Sequence, residues 1–355
     1  MASSLIKRAI LAQGHDLPDY KLPQWAWIVM LLDLIVLLPM AIILDYTFKT
    51  VYPVFAMIED ENPPAYQPVS LRDALDDETV RPGAKIAELD NRTVTSSFRA
   101  VNRLLMANGG VMANFRGFAC ALAQSFMTSI LMVAFIASFG GVFTPVATLL
   151  ASLALVQLNT AWVHIVISRP SPLPFWQRLP AFKHTFDATW RAVTLNWFAC
   201  EVARWVPLAL VSISGLSLPE IQVAGGQDAD LRNLDAAFFI KLLVILLVAL
   251  VFSIFLVIPA NVILVRIQAS LLPPDEDAII PFDRSFQGRA EPAVVGGRGF
   301  VTISDAWATF SKAAWRRLLT LYVKIFFVTI AGIALMAALV LPEIVVIASR
   351  SVRVD

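Results

Sequence analysis

The sequence predicts an all-α integral membrane protein with six transmembrane helices that form three two-helix repeats. Hydrophobic residues make up 58% of its 355 residues, charged residues make up 15%, and the mean hydropathy is +0.70. A soluble domain does not carry so apolar a composition, because too much of it would face water. Six apolar stretches are each long enough to cross a hydrocarbon core of about 30 Å as a helix. They lie near residues 24–46, 118–138, 143–168, 194–217, 237–270 and 318–347.

These spans define one membrane domain, residues 1–345, followed by a short tail at 348–355. The three repeats are expected near residues 24–138, 143–217 and 237–347. Two loop insertions interrupt them, at about 52–94 and 283–302, and their compositions favour flexible segments. The first insertion has nine acidic and three basic residues between Glu59 and Asp90, so this acidic loop, 59–90, is the candidate contact for a protein partner.

The distribution of Lys and Arg predicts the orientation of the spans. The loops 47–117, 169–193 and 271–317 contain 18 of these residues, whereas the opposite side contains 6. Positive residues are retained on the side from which a helix inserts, so both termini are predicted on the side opposite the three basic loops. Long basic side chains near span ends, such as Arg266 and Lys324, are expected to reach the lipid headgroups.

The ends of the third and fifth spans carry the clearest internal repetition. At a shift of 102 residues, Asn159 matches Asn261 and Ser168 matches Ser270, with a Val and an Ile between them also matching. Each end is followed by a Pro-Phe pair and then by an amphipathic segment that contains Trp-Arg. The first span fits less closely, because Asp45 stands where the other two have Asn. Repetition of this kind predicts three similar structural units.

The segment from Ser97 to Gly117, SFRAVNRLLMANGGVMANFRG, joins the first two spans. An amphipathic helix is followed by a Gly-containing turn, an aromatic residue, a basic residue and a Gly at the start of the next span. These last elements are Gly109, Gly110, Phe115, Arg116 and Gly117. In this order they resemble the signature segment of the mitochondrial carrier family, and the resemblance extends over residues 24 to 345. It implies a bundle of three two-helix repeats in a mitochondrial membrane.

The ends of the odd-numbered spans resemble a second carrier motif, P-x-[DE]-x-x-[KR]-x-[RK] followed by Gln. Its remnants in this sequence are Asp45, Asn159, His164, Pro259, Asn261, Arg266 and Gln268. In carriers the acidic and basic residues of this motif form a salt-bridge ring that closes the matrix side. Here Phe48, Trp162 and Leu264 replace the first basic residue, and Asp45 is the one acid left. The corresponding gate motif is absent from the ends of the even-numbered spans.

The chain therefore resembles degenerate, gate-motif-poor members of the carrier family, of the fungal type that lies in the mitochondrial outer membrane. That resemblance implies a scaffold, lipid-handling or fusion-type factor rather than an ordinary antiporter, with the outer membrane favoured over the inner. One alternative is an atypical transporter of an anionic metabolite that uses Arg204. Another is an unrelated six-span protein of the secretory pathway, which glycosylation at Asn91 would favour.

Three ionisable residues inside the spans are candidate substrate or lipid contacts: Asp33, Glu201 and Arg204. A charge in the bilayer costs at least a few kcal/mol, so such residues mark functional sites by default. Counted from the span ends, the three lie at similar depths. Glu201 and Arg204 are three residues apart and share a helix face, so they can pair, and Asp33 with Arg204 is the other pairing. Either pair could instead hold helices together.

Enzymatic, metal-binding and nucleic-acid-binding functions find no support in the sequence. The three His residues are far apart, and both Cys residues fall inside spans, where a thiol is an ordinary packing group. No cofactor is expected. The expected partners are membrane lipids and, in the transporter alternative, a small anionic solute.

Overall fold

The computed structural model describes residues 19–21, 23–60, 93–216, 235–290, 296–350 and 352–354. Five helices in these ranges are long and apolar enough to cross a membrane, or six if a bent helix pair counts as one span. The prediction of a helical integral membrane protein is confirmed at this level. The predicted Asn91 sequon and most of the predicted acidic loop lie outside the described residues.

The helices are α1 Gln24–Ile58, α2 Phe98–Ala107, α3 Phe118–Phe139, α4 Thr144–Ala154, α5 Val156–Ile167, α6 Phe182–Ser214, α7 Ala236–Ser270, α8 Ile303–Ala308 and α9 Lys312–Arg350. Short 3₁₀ turns occupy Val94–Ser96, Gly110–Phe115, Gly141–Phe143 and Phe175–Arg178. Strand β1, Asp19–Lys21, pairs antiparallel with strand β2, Val352–Val354, so the two ends of the described chain lie side by side.

Helix α1 is longer than the sequence predicted. The predicted span ended at residue 46 and the loop began at 52, but Tyr52–Ile58 continue the helix and are buried. A π-helical stretch, Ile43–Val51, precedes this segment. Pro53 then falls in the first turn after the π stretch, where its missing N–H is tolerated, so proline does not end the helix there. Helix α6 likewise begins twelve residues before its predicted start at 194.

Each of the three odd-numbered spans is interrupted in the middle. Helix α1 contains the π stretch Ile43–Val51, and helix α7 contains a second one, Ser253–Val257, directly before Ile258 and Pro259. The third span is broken at Leu155 between α4 and α5, which meet at a bend of 59°. Leu155 and Val257 are related by the same shift of 102 residues that relates Asn159 to Asn261.

The buried core lies at one end of the bundle. We call this part the head and define it as residues 44–60, 93–121, 156–193, 258–290 and 300–325. Its largest fully buried side chains include Tyr52, Phe55 and Met57 of α1. The Tyr52–Ile58 segment packs against α5, α7 and α9, so the segment predicted to be a loop lies at the centre of the head.

The remaining parts of the spans project from the head, and we call them the arms: residues 24–42, 122–154, 198–214, 236–256 and 326–350. In each of the five long helices, no more than 11% of the most apolar 18-residue stretch is buried within the protein. Large side chains such as Ile28, Phe255 and Phe327 are more than 60% exposed. An apolar surface of this extent is what lipid covers in a bilayer.

Candidate functional site

The signature segment folds as its sequence predicts, with helix α2, a turn at Gly109 and Gly110, and Gly117 capping α3. Gly117 adopts φ +72°, a left-handed conformation that favours glycine. A Cβ on Gly117 would stand 3.1 Å from the Tyr46 hydroxyl and from Cδ1 of Trp162. The glycine is therefore required both by its backbone conformation and by the close approach of two aromatic side chains.

The same segment is tied to the two neighbouring spans by hydrogen bonds. The Tyr46 hydroxyl donates to the Arg116 carbonyl at 2.6 Å and accepts from Nε1 of Trp162 at 2.8 Å. Nε of Arg116 donates to the Ile165 carbonyl at 2.6 Å. Phe115 packs edge-on against Phe118, with ring centroids 6.3 Å apart. The segment thus connects α1 to the end of α5.

The motif remnants do not form a ring of charge pairs. Asp45 pairs with Lys49 one turn further along α1 at 2.8 Å, and its side chain is 79% exposed. Asn261 hydrogen-bonds the Tyr322 hydroxyl, and Nε2 of the buried His164 lies 2.9 Å from the Gln268 carbonyl. In the described part of the chain, none of the remnants forms an ion pair with another remnant. Asn159 lies in the first turn of α5, just after the bend between α4 and α5.

Arg266 lies inside the head, so the expectation that it reaches the lipid headgroups is wrong. Its guanidinium donates to the carbonyls of Ala306 and Met57, at 2.9 and 3.0 Å, and to the Thr309 hydroxyl at 2.8 Å. The guanidinium carbon also lies 4.9 Å from the ring centroid of Phe286. Pro259 lies in the first turn of this part of α7, and the helix places Arg266 against the ends of α1 and α8.

Two further buried cations join segments of the head. Nη2 of Arg178 donates to Glu276 at 2.6 Å and to Ser168 at 2.7 Å. Arg317 lies 3.5 Å from the Glu59 carboxylate and donates to the Glu59 carbonyl at 3.2 Å. Glu59 also accepts the backbone N–H of Thr95 at 3.1 Å. Glu59 is buried, so the first residue of the predicted acidic loop forms contacts inside the head and is not exposed to a partner.

The second candidate cluster lies in the arms, where α6 contacts α4. Glu201 and Arg204 form the ion pair that their spacing predicted, and Nε1 of Trp205 donates to Glu201 at 2.8 Å. Thr148 of α4 donates to Glu201 at 3.4 Å. The Glu201 side chain is 12% exposed and that of Arg204 is 48% exposed. The Glu201 carboxylate therefore has its hydrogen-bond donors within the protein, whereas about half of the Arg204 side chain stays exposed.

Asp33 does not join this cluster. It lies in a groove between α1 and α9, and its carboxyl group is hydrogen-bonded to that of Glu343. The alternative pairing of Asp33 with Arg204 is therefore wrong, because the partner of Asp33 is Glu343 of α9. Sequence reasoning missed this pair because the contact between the first and last spans depends on the tertiary arrangement. The depths of the two acids, counted from the span ends, were the only available signal.

Within the described ranges, no three His, Cys, Asp or Glu side chains come together as a metal site would require. No family model matches the chain, and no curated protein and no solved structure matches it either.

Proposed function

We propose that this chain is a carrier-like membrane protein of three repeats that serves as a scaffold and lipid-handling factor rather than as an antiporter. We further propose a mitochondrial membrane as its location, with the outer membrane favoured over the inner. The observation that carries the proposal is the way in which the head is held closed. Each boundary between two predicted repeats is bridged by buried hydrogen bonds, several of which end on main-chain carbonyls.

The bridges run around the head in sequence. They are Arg116 to Ile165 and Trp162 to Tyr46 between repeats one and two, His164 to Gln268 and Arg178 to Glu276 between repeats two and three, and Arg266 to Met57 and Arg317 to Glu59 between repeats three and one. The mid-span interruptions, which relate Leu155 to Val257, support the same division into repeats.

These bridges favour a head that stays shut. Losing the partner of a buried polar group costs about 1–3 kcal/mol, and breaking a buried ion pair costs about 3–5 kcal/mol. A main-chain carbonyl is held in place by the backbone. It cannot move from one cation to another as the carboxylate side chains of a gating ring do. Opening the head would break several of these contacts at once, and the described residues offer the same groups no other partners. Solute exchange through the head is therefore disfavoured.

Solute exchange in liposomes tests the proposal. The purified full-length chain is expected to give no saturable exchange across a panel of anionic metabolites, with a working carrier reconstituted in parallel as the positive control. Saturable exchange that Arg204→Ala abolishes would overturn the proposal and establish the transporter alternative, which the half-exposed Arg204 side chain favours. A lipid-handling role would then survive only as a side activity.

Protease treatment of mitochondria tests the location. Tags at the C-terminus and in the loop 169–193 are predicted to lie on opposite faces of the membrane, so in the outer membrane one of the two is expected to be cleaved in intact mitochondria. Protection of both tags until the outer membrane is ruptured would place the chain in the inner membrane. Absence from mitochondria, together with a glycan at Asn91, would favour the secretory-pathway alternative.

A further inference from the structure

We propose that the groove between α1 and α9 binds an amphiphile with a cationic amine headgroup. Its hydrocarbon chain would lie along the groove and its amine would contact Asp33 and Glu343. This inference rests on the lipid-handling part of the proposed function and names the class of lipid involved. Three features of the groove support it: its shape, its two carboxyl groups and their position along the arms.

The groove has the size and lining of a site for a hydrocarbon chain. Its volume is about 910 Å³, within the range of ligand sites, which are about 300–1,000 Å³. Apart from the two acids its walls are apolar, and they include Met30, Leu34, Leu38, Met336, Val340 and Ile344. Towards the head the two helices close on each other, because a Cβ on Gly332 would stand against the side chain of Leu44. The groove is thus open along the arms and narrow at its base.

The two carboxyl groups favour a cation in the groove. Two acids that line the same apolar groove repel each other when both are charged, and a cation between them relieves that repulsion. Oε2 of Glu343 is shielded from solvent and has no hydrogen-bond partner among the described residues. The ion pairs between described residues include neither acid. An ammonium group would supply both the missing positive charge and up to three donors.

The two acids lie towards the outer ends of α1 and α9, which leaves the groove between them and the head for a hydrocarbon chain. Asp33 lies nine residues after Gln24, or about 14 Å along the helix, and Glu343 lies seven residues before Arg350, or about 10 Å. The rest of the groove, from Leu37 and Leu38 to Ala41, extends from the pair towards the head. A chain attached to the amine therefore has apolar walls along its length, whereas an anionic headgroup would be repelled by the same acids.

Spin-labelled lipids of equal chain length test the assignment. The full-length protein is placed in phosphatidylcholine nanodiscs with either a spin-labelled alkylamine or the matching alkyl carboxylic acid, and electron paramagnetic resonance gives the motionally restricted fraction. The amine is expected to be restricted in preference to the acid. The double variant D33N/E343Q, which keeps the shape of the groove, is expected to lose about tenfold in relative association of the amine. Asp45→Asn removes an exposed carboxylate from the head and is expected to leave that association unchanged.

Three results would overturn the inference. The first is equal restriction of amine and acid, which would mean that the groove holds hydrocarbon without regard to headgroup. The second is an unchanged preference in D33N/E343Q, or in Glu343→Gln alone if the double variant does not fold. The third is a groove covered by a second copy, seen as amine association that falls as the dimer fraction rises. None of these depends on solute exchange, so this inference and the proposed function can fail separately.

Discussion

The head and the arms are stabilised by opposite means. In the head, Tyr52, Phe55 and Met57 are buried against other helices, and arginines such as Arg266 end on backbone carbonyls inside the protein. In the arms, the helices expose large apolar side chains. The difference means that the same chain relies on its own packing at one end and on lipid at the other, so substitutions at the two ends should differ sharply in cost.

Arg266→Met is expected to show the largest difference. It would leave the Met57 and Ala306 carbonyls without their donor and cost about 3 kcal/mol of unfolding free energy. Arg191→Met is the matched control, because Arg191 is exposed and lies 5.2 Å above the Trp190 ring, and it should cost less than about 1 kcal/mol. Thermal unfolding of both variants in the same lipid and detergent measures the contrast. Equal losses would show that the buried contacts of Arg266 stabilise the head no more than an exposed arginine of the head does.

Gly117→Ala and Gly215→Ala separate crowding from backbone strain. Both glycines adopt the left-handed αL conformation, with φ +72° and +62°, but a Cβ on Gly215 would meet nothing within 4 Å. The first substitution should therefore cost about 2–3 kcal/mol and the second about 1 kcal/mol. Unfolding midpoints of the two variants give the difference. A cost at Gly117 no larger than that at Gly215 would mean that Trp162 and Tyr46 move aside freely.

Gly332→Ala probes the point where head and arms join. The added Cβ would clash with the Leu44 side chain, with an expected cost of about 1–2 kcal/mol after relaxation. In the double variant L44A/G332A the clash is removed, so the loss from Gly332→Ala should be smaller in that background. A double-mutant cycle on unfolding free energies measures the coupling. Strict additivity would show that α1 and α9 do not meet at this position.

The smallest expected effect is a pH dependence confined to the head. Hydrogen bonds from the Thr302 hydroxyl and from Arg289 hold the pKa of Asp305 below its ordinary value of 3.8. A lowered pKa in the folded state gives stability that is present above the unfolded value and is lost as the pH falls through the folded value. The unfolding midpoint should therefore fall slightly more below about pH 4 in the parent than in Asp305→Asn. Identical slopes for the two proteins would exclude this contribution.

The sequence predicted the arms better than the head. Long apolar runs such as that of α7, predicted at 237–270 and found at Ala236–Ser270, depend only on local composition. The head depends on contacts between distant segments. The predicted span ended at residue 46, whereas the π stretch and Tyr52–Ile58 extend helix α1 into the centre of the head. Arg266 looked like a residue at a membrane surface, and only its packing between other segments shows that it is buried. The pair of Glu201 and Arg204 was predictable because it lies within one helix, whereas that of Asp33 and Glu343 was not.

The ribbon of β1 and β2 brings Asp19–Lys21 and Val352–Val354 together at the end of the arms that is far from the head. With Asp19 opposite Val354, the order of the described helices becomes circular rather than linear. A circular permutant in which a short linker joins Val354 to Asp19 and new ends open between Gly140 and Gly141 should then keep every helix pair. In such a ring no helix is first or last. The groove between α1 and α9 then lies between two consecutive spans, as the other helix contacts do.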